Sequence, residues 1–283
     1  MANFDPTFAH DVALRLAEAA YLSAPAASDL PANYSVVGPI SVDTVRATTL
    51  RATATARQTA LLTKVLAAPS GFGWVFQDVL EKIVVISFRG TVSLEDWLRD
   101  FDFLPAIYQP VTNFGTVHEG FQLVYLVLRS SLINLLKQVD AGYTRLLITG
   151  HSLGAALSEL AAPDLLHNAD LTVEPDVLNF AGPRVGHHDF ASLFDVQIDG
   201  CFRVVNLWDI VPQLPPPLAL YEHVGQAVKV DGGFTLNELQ AHSLPLSYGP
   251  GLEKLIPLAP TALMTASLAA ARFPNELMIG REP

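Results

Sequence analysis

The chain has 283 residues, half of them hydrophobic and only 16% charged, so it carries ample material for a sizeable core and too few charges for a disordered chain. Its formal net charge of -11 at pH 7 argues against nucleic acid as a partner, which needs a basic face, and disfavours anionic membranes. One cysteine, Cys201, excludes an intramolecular disulfide.

The opening MANFDPTFAHD has neither a basic leader region nor an apolar one. A cytoplasmic location is expected if Met1 is the native start, and a secreted one if a signal peptide was removed. Pro6 to Leu22 reads as a helix, with Phe8, Val12, Ala19 and Leu22 among its apolar positions and Pro6 suited to a first turn. Pro25 to Ser41 breaks regularity and reads as a loop wrapping the body. Val42 to Leu66 reads as helical and of mixed polarity.

Gly73 to Gln77 and Lys82 to Phe88 read as strands. The second, KIVVISF, has the continuous apolar interior of a strand buried on both faces. It runs into Arg89, Gly90 and Thr91. Leu94, Trp97, Leu98 and Phe101 then recur at helical spacing, with Glu95, Asp96, Arg99 and Asp100 opposite, which predicts a short amphipathic helix. Phe121 to Val139 is a further helix.

Arg145 to Leu157, RLLITGHSLGAAL, organises the rest. An apolar strand meets Gly150, His151, Ser152, Leu153 and Gly154 and passes at once into helix formers. A turn this sharp strains the serine and exposes its oxygen at the top of a sheet, as acyl transfer requires. The glycines are small where helix and strand cross. The N–H of Leu153, at the helix N-terminus, is aimed to stabilise a developing oxyanion.

Asp176 to Ala181 and Arg203 to Trp208 are the next strands, and Cys201 reads as a buried apolar residue opening the second. Strands alternating with helices predict an α/β fold with a mostly parallel central sheet and helices on both faces. Sites in such sheets gather at the carboxyl ends of the strands. Asp209 directly follows FRVVNLW and lies at that edge, whereas Asp176 precedes its strand and lies at the other. A histidine base placed after this acid could be His223 or His242. The first sits just ahead of a short strand; the second lies in AHSLPLSYG, where Pro245 and Gly249 indicate a loop able to bend back.

From Leu255 to Ala271 no residue is charged, but Pro257, Pro260 and many alanines make a poor membrane span. The expectation is a single domain over 1–283 with a C-terminal extension from about 253. That extension is expected to pack against the body or an oligomer partner; the oligomeric state is not legible.

Several segments together resemble the class 3, fungal-lipase-like family of the α/β-hydrolase fold. They are VVISFRGT at 84–91, Trp97 and Asp100 of EDWLRD, VHEGF at 117–121, TGHSLGAA at 149–156, AGPRVG at 181–186, WDIVPQLPP at 208–216, YEHVG at 221–225 and HSLPLSYGPGL at 242–252. They run in the family's order. The resemblance implies Ser152 as nucleophile, Asp209 as acid and His242 as base, with the YEHVG histidine not catalytic. It implies Thr91 as partner of Leu153 in the oxyanion hole. It also implies that the helix bearing Leu94, Trp97, Leu98 and Phe101 is a lid over the acyl site, touching a lipid–water interface transiently.

A serine esterase of triacylglycerol lipase or broad carboxylesterase type is therefore expected, needing no metal or cofactor and acting on an ester or lipid. A phospholipase A1 or feruloyl-type esterase shares the chemistry, and a non-catalytic binding protein shares the fold. The sequence departs from the family in lacking the cysteines for the disulfides of many secreted members, in lacking the usual leader, and in its tail.

Overall fold

A computed structural model describes residues 3–67, 71–91, 103–140 and 142–257. The amphipathic segment with Leu94, Trp97, Leu98 and Phe101, and the chain beyond 257, lie outside the described residues.

Asp5 opens the N-terminal helix α1 (6–19) by accepting hydrogen bonds from the N–H groups of Thr7 and Phe8, with Pro6 just inside the start. Its middle, Ala9–Leu14, is a wider π turn. The 25–41 stretch corrects the sequence reading. Tyr34–Pro39 within it is a strand, β1, with alternating but mostly partial burial, so its sequence gives no apolar run. The helical stretch after it is two helices, α2 (Thr44–Thr53) and α3 (Ala56–Leu66). Thr55 separates them because its hydroxyl and the Gln58 side chain form a reciprocal cap that starts a new helix.

The remaining strands are β2 (Gly73–Asp78), β3 (Ile83–Phe88), β4 (Pro105–Ile107), β5 (Thr116–His118), β6 (Arg145–His151), β7 (Pro175–Phe180), β8 (Gly186–His187), β9 (Cys201–Asn206), β10 (Tyr221–Glu222) and β11 (Gln226–Val230). Between them lie α4 (Glu119–Leu136), α5 (Leu153–Asn168) and α6 (His188–Gln197), and after them α7 (Glu238–Ala241), a π turn (Leu244–Tyr248) and α8 (Gly249–Glu253). The central sheet runs β1-β2-β3-β6-β7-β9-β11; β2 pairs antiparallel with β1 and β3, and all later pairs are parallel. The strand after Cys201 ends at Asn206, two residues before the sequence reading. A second small sheet, β10-β8-β5-β4, has strands of two or three residues, too short to leave a periodic signal.

Strand alternation assigns the two faces. Val84, Ile86, Phe88, Leu146, Ile148 and Val177 join α3 to α6 in one apolar core; Val85, Leu147, Leu178 and Phe180 join α1, Tyr248 and Leu252 in the other. On the first face the buried Asp164 of α5 accepts both forks of Arg129 from α4, at 2.6 and 2.9 Å, and a hydroxyl from Tyr125 at 2.5 Å. A carboxylate taken from water is tolerable only when its oxygens are filled in this way. Helix α5 is thereby fixed from beneath, and its first residue follows Ser152.

Candidate active site

Ser152 joins β6 to α5 with φ 61° and ψ -124°, a backbone conformation that a serine adopts only under constraint. The constraint is visible in the two glycines. A Cβ on Gly150 would stand 2.3 Å from the Gly154 carbonyl oxygen, and one on Gly154 would stand 2.2 Å from that of Phe88. Neither neighbour is a side chain that could turn away. The spacing G-x-S-x-G is thus a packing requirement of the strand–helix crossing, and the turn it permits puts the serine at the N-terminus of α5. The amide of Leu153 belongs to that helix's first turn, where N–H groups have no carbonyl partner within the helix.

Asp209 and His242 meet across a sequence gap closed by tertiary structure. His242 Nδ1 lies 2.8 Å from Asp209 Oδ2, and both residues are buried. Because that oxygen belongs to a carboxylate, Nδ1 carries the proton, which leaves Nε2 with a lone pair. Nε2 is itself buried and has no hydrogen-bond partner among the described residues, Ser152 included. Catalytic contacts of this kind tighten when substrate binds.

Asp209 is anchored on three sides. Besides the imidazole, its Oδ2 accepts the Tyr248 hydroxyl at 2.6 Å and its Oδ1 accepts the Val211 amide at 3.0 Å. Burial, and next the Asp209 charge, push the Tyr248 phenol well above its ordinary value, so it stays a donor. Asn206, at the end of β9, ties the two loops together: its amide nitrogen donates to the Ala241 carbonyl at 2.8 Å and its oxygen accepts from the Gly232 amide at 3.0 Å.

The loop after β3 approaches the serine. A Cβ on Gly90 would stand 2.9 Å from that of Ser152, so the chain leading into Thr91 lies directly against the turn that bears Ser152. Arg89 holds this loop, its guanidinium donating to the carbonyls of Gly71 and Gly90.

Ser152, Leu153, Asp209, His242 and the Gly90–Thr91 loop are therefore grouped at the carboxyl edge of the parallel strands. His223 is elsewhere. Its Nε2 donates to the Pro212 carbonyl at 2.8 Å, and burial, then the nearby Arg203 charge, hold its pKa down at about 3. Cys201 is buried with its thiol pushed well up, chiefly by burial, which suits an inert core residue. The four expected lid residues lie outside the described residues. Sequence reasoning did not find Tyr248 or Asn206: neither sits in a spacing that marks a role, and only the fold brings them to Asp209 and Ala241.

Comparison with known proteins fits this geometry. Residues 85–219 match the model of the lipase (class 3) family. The secreted mono- and diacylglycerol lipase 1 of Fusarium solani is 30% identical over 187 residues, covering 62% of this chain and 54% of that protein. Phospholipase A1-IIgamma of Arabidopsis thaliana is 30% identical over 182 residues, covering 52% of this chain and 42% of that one. A solved structure described as a triacylglycerol lipase whose catalytic centre is a serine protease triad is 32% identical, with a TM-score of 0.52, covering 56% of this chain and 60% of that chain. The chain spans about half the length of the curated relatives it matches. The matched segment belongs to the class 3 lipase family, and the architecture is the α/β-hydrolase fold.

Proposed function

We propose that this chain, with its class 3 lipase segment, is a serine hydrolase of carboxylic esters, a triacylglycerol lipase or broad carboxylesterase using Ser152, His242 and Asp209. The observation that carries the reading is the buried His242–Asp209 pair at 2.8 Å, whose imidazole lies with its ring centroid 4.5 Å from that of His151, the residue before Ser152. In this reading Nε2 takes the Ser152 proton as the oxygen attacks the ester carbonyl. Asp209 holds the productive tautomer and stabilises the imidazolium without taking the proton. The amides of Leu153 and Thr91 receive the oxyanion. The imidazolium protonates the departing alcohol, and water, deprotonated by His242, then cleaves the acyl-enzyme.

Residues 1–283 act as one catalytic unit in this reading, and the chain from about 253 is an extension of it. The similarity to a phospholipase A1 favours a second reading in which the ester belongs to a phospholipid. A series of esters from acetate to palmitate, with emulsified triglyceride and phospholipid vesicles beside it, separates lipase, esterase and phospholipase. Ser152→Ala should lower turnover of whichever substrate is cleaved by a factor of about 10⁴ or more, with the melting temperature held within a few degrees. A variant within tenfold of the parent rejects the assignment. Relatives include a secreted lipase, and no helix among the described residues is long and apolar enough to cross a membrane.

A further inference from the structure

Resting on the ester-hydrolase reading, we propose that Tyr21 and His151 are positioning residues, a hydrogen-bonded relay that fixes the main chain of the base His242 and of the oxyanion loop at Gly90 relative to each other. The relay is a chain of four groups. The Gly90 N–H donates to the Tyr21 hydroxyl at 3.0 Å, the hydroxyl pairs with His151 Nδ1 at 2.7 Å, and His151 Nε2 pairs with the His242 carbonyl oxygen at 2.8 Å.

Donor and acceptor roles follow without ambiguity. A carbonyl oxygen only accepts, so His151 Nε2 carries a proton. In a neutral His151 that leaves Nδ1 with a lone pair, so the Tyr21 hydroxyl donates to it while accepting from Gly90. A protonated His151 would reverse the second contact, and the surroundings keep it neutral: burial, then the nearby His242 ring, hold its pKa well below the ordinary value. The groups facing the ring are Tyr21, His242 and Tyr248, at centroid distances of 5.9, 4.5 and 6.3 Å, with no carboxylate in contact among the described residues to favour a charge.

The relay links three parts of the chain that are far apart in number. Tyr21 follows α1 at the N-terminal end of the chain, His151 lies next to Ser152, and His242 comes from the loop after α7. The Gly90 amide is consumed by Tyr21, so it is not a donor for an oxyanion. Its role is to hold the peptide that presents Thr91. Arg89 grips the next peptide, the one that carries the Thr91 N–H, by the Gly90 carbonyl, and Gly90 is therefore held from both sides. A Cβ there would meet the Tyr21 hydroxyl at 2.5 Å.

The test uses Tyr21→Phe, which removes one oxygen and leaves the ring's packing. Initial rates are measured with a soluble p-nitrophenyl ester and, independently, the rate of Ser152 labelling by a diethyl p-nitrophenyl phosphate probe. We expect kcat and the labelling rate to fall together by about tenfold, with KM within threefold of the parent and near-UV circular dichroism unchanged. H151Q keeps a donor for the His242 carbonyl while losing the Tyr21 contact, so it should lose a similar factor, and the double variant should be no worse than about twice the poorer single one. Losses below threefold in both rates for Tyr21→Phe, or losses that multiply in the double variant, overturn the relay. A parent that is not labelled at Ser152 removes the ester-hydrolase reading, and the relay with it; a labelled parent matched by Tyr21→Phe removes the relay alone.

Discussion

The Ser152 side of the site and the Asp209–His242 side are held by opposite means. Ser152 is fixed locally, by glycines at 150 and 154 whose missing side chains let β6, α5 and the end of β3 touch backbone to backbone. Asp209 and His242 are fixed by hydrogen bonds reaching across the chain, from Tyr248 to the carboxylate, from Asn206 to the Ala241 carbonyl and from His151 to that of His242. A contact made by absence of volume tolerates no substitution, because a backbone atom cannot move aside. A network of several partners loses function in steps.

The sharpest way to break this contrast is Gly154→Ala. The new methyl would meet the Phe88 carbonyl carbon and oxygen at 2.7 and 2.2 Å, so β3 and α5 must separate. The expected result is a cost above about 4 kcal/mol, read as loss of the cooperative thermal transition or of soluble protein. A variant melting within 5 °C of the parent would remove the packing account of the motif.

On the other side, Asp209→Asn keeps the volume and reverses one group. The amide cannot both accept from His242 Nδ1 and serve as a counter-charge, so kcat should drop about 10³- to 10⁴-fold while the protein stays folded. Full retention of activity at neutral pH would place the acid elsewhere.

The core beneath the site offers a test by pH. Glu159 of α5 is buried, its Oε1 accepting from Asn179 at 2.9 Å and its Oε2 unpaired among the described residues. Burial, the largest cause, raises its pKa from 4.5 to about 8 against the opposing pull of Arg203. An acid whose folded pKa is raised binds its proton more tightly in the folded state. Its contribution to stability is thus fully present below about 4.5 and is lost progressively as the pH rises to about 8. Glu159→Gln imitates the protonated form and should flatten that fall, gaining on the order of a few kcal/mol in urea unfolding at pH 8.5 and little at pH 4.5. Equal stability of parent and variant at both pH values would show that Glu159 does not titrate in this range.

The smallest effect is expected for Tyr248→Phe. It withdraws one of three donors from Asp209 and leaves His242 and Val211 in place, so kcat should fall only about threefold to tenfold. A loss as large as that of Asp209→Asn would mean that the network behaves as a unit and not in steps.

Legibility in the sequence follows the same division. The turn at Ser152 could be read from thirteen consecutive residues, because strand, glycines and helix formers are neighbours in the chain. The central strands at 83–88 and 145–151 were legible for the same reason: both faces are buried, so their apolar runs are continuous. The strand at 34–39 reads as loop because an edge strand, half covered, writes no such run. The residues alone leave His223 and His242 both open, with Pro245 and Gly249 favouring the second through a loop able to bend back, and the resemblance, which implies that the YEHVG histidine is not catalytic, favours it further.

The sequence by itself determined the α/β plan and the strand–turn–helix order at Ser152, since both are written in residues that are neighbours in the chain. Only the tertiary structure decided which imidazole faces Asp209, that Tyr248 and Asn206 support that corner, and that Tyr21 reaches His151 across 130 positions. Those contacts join segments whose separation carries no periodic trace, and they exist only once the sheet has set its strand ends side by side.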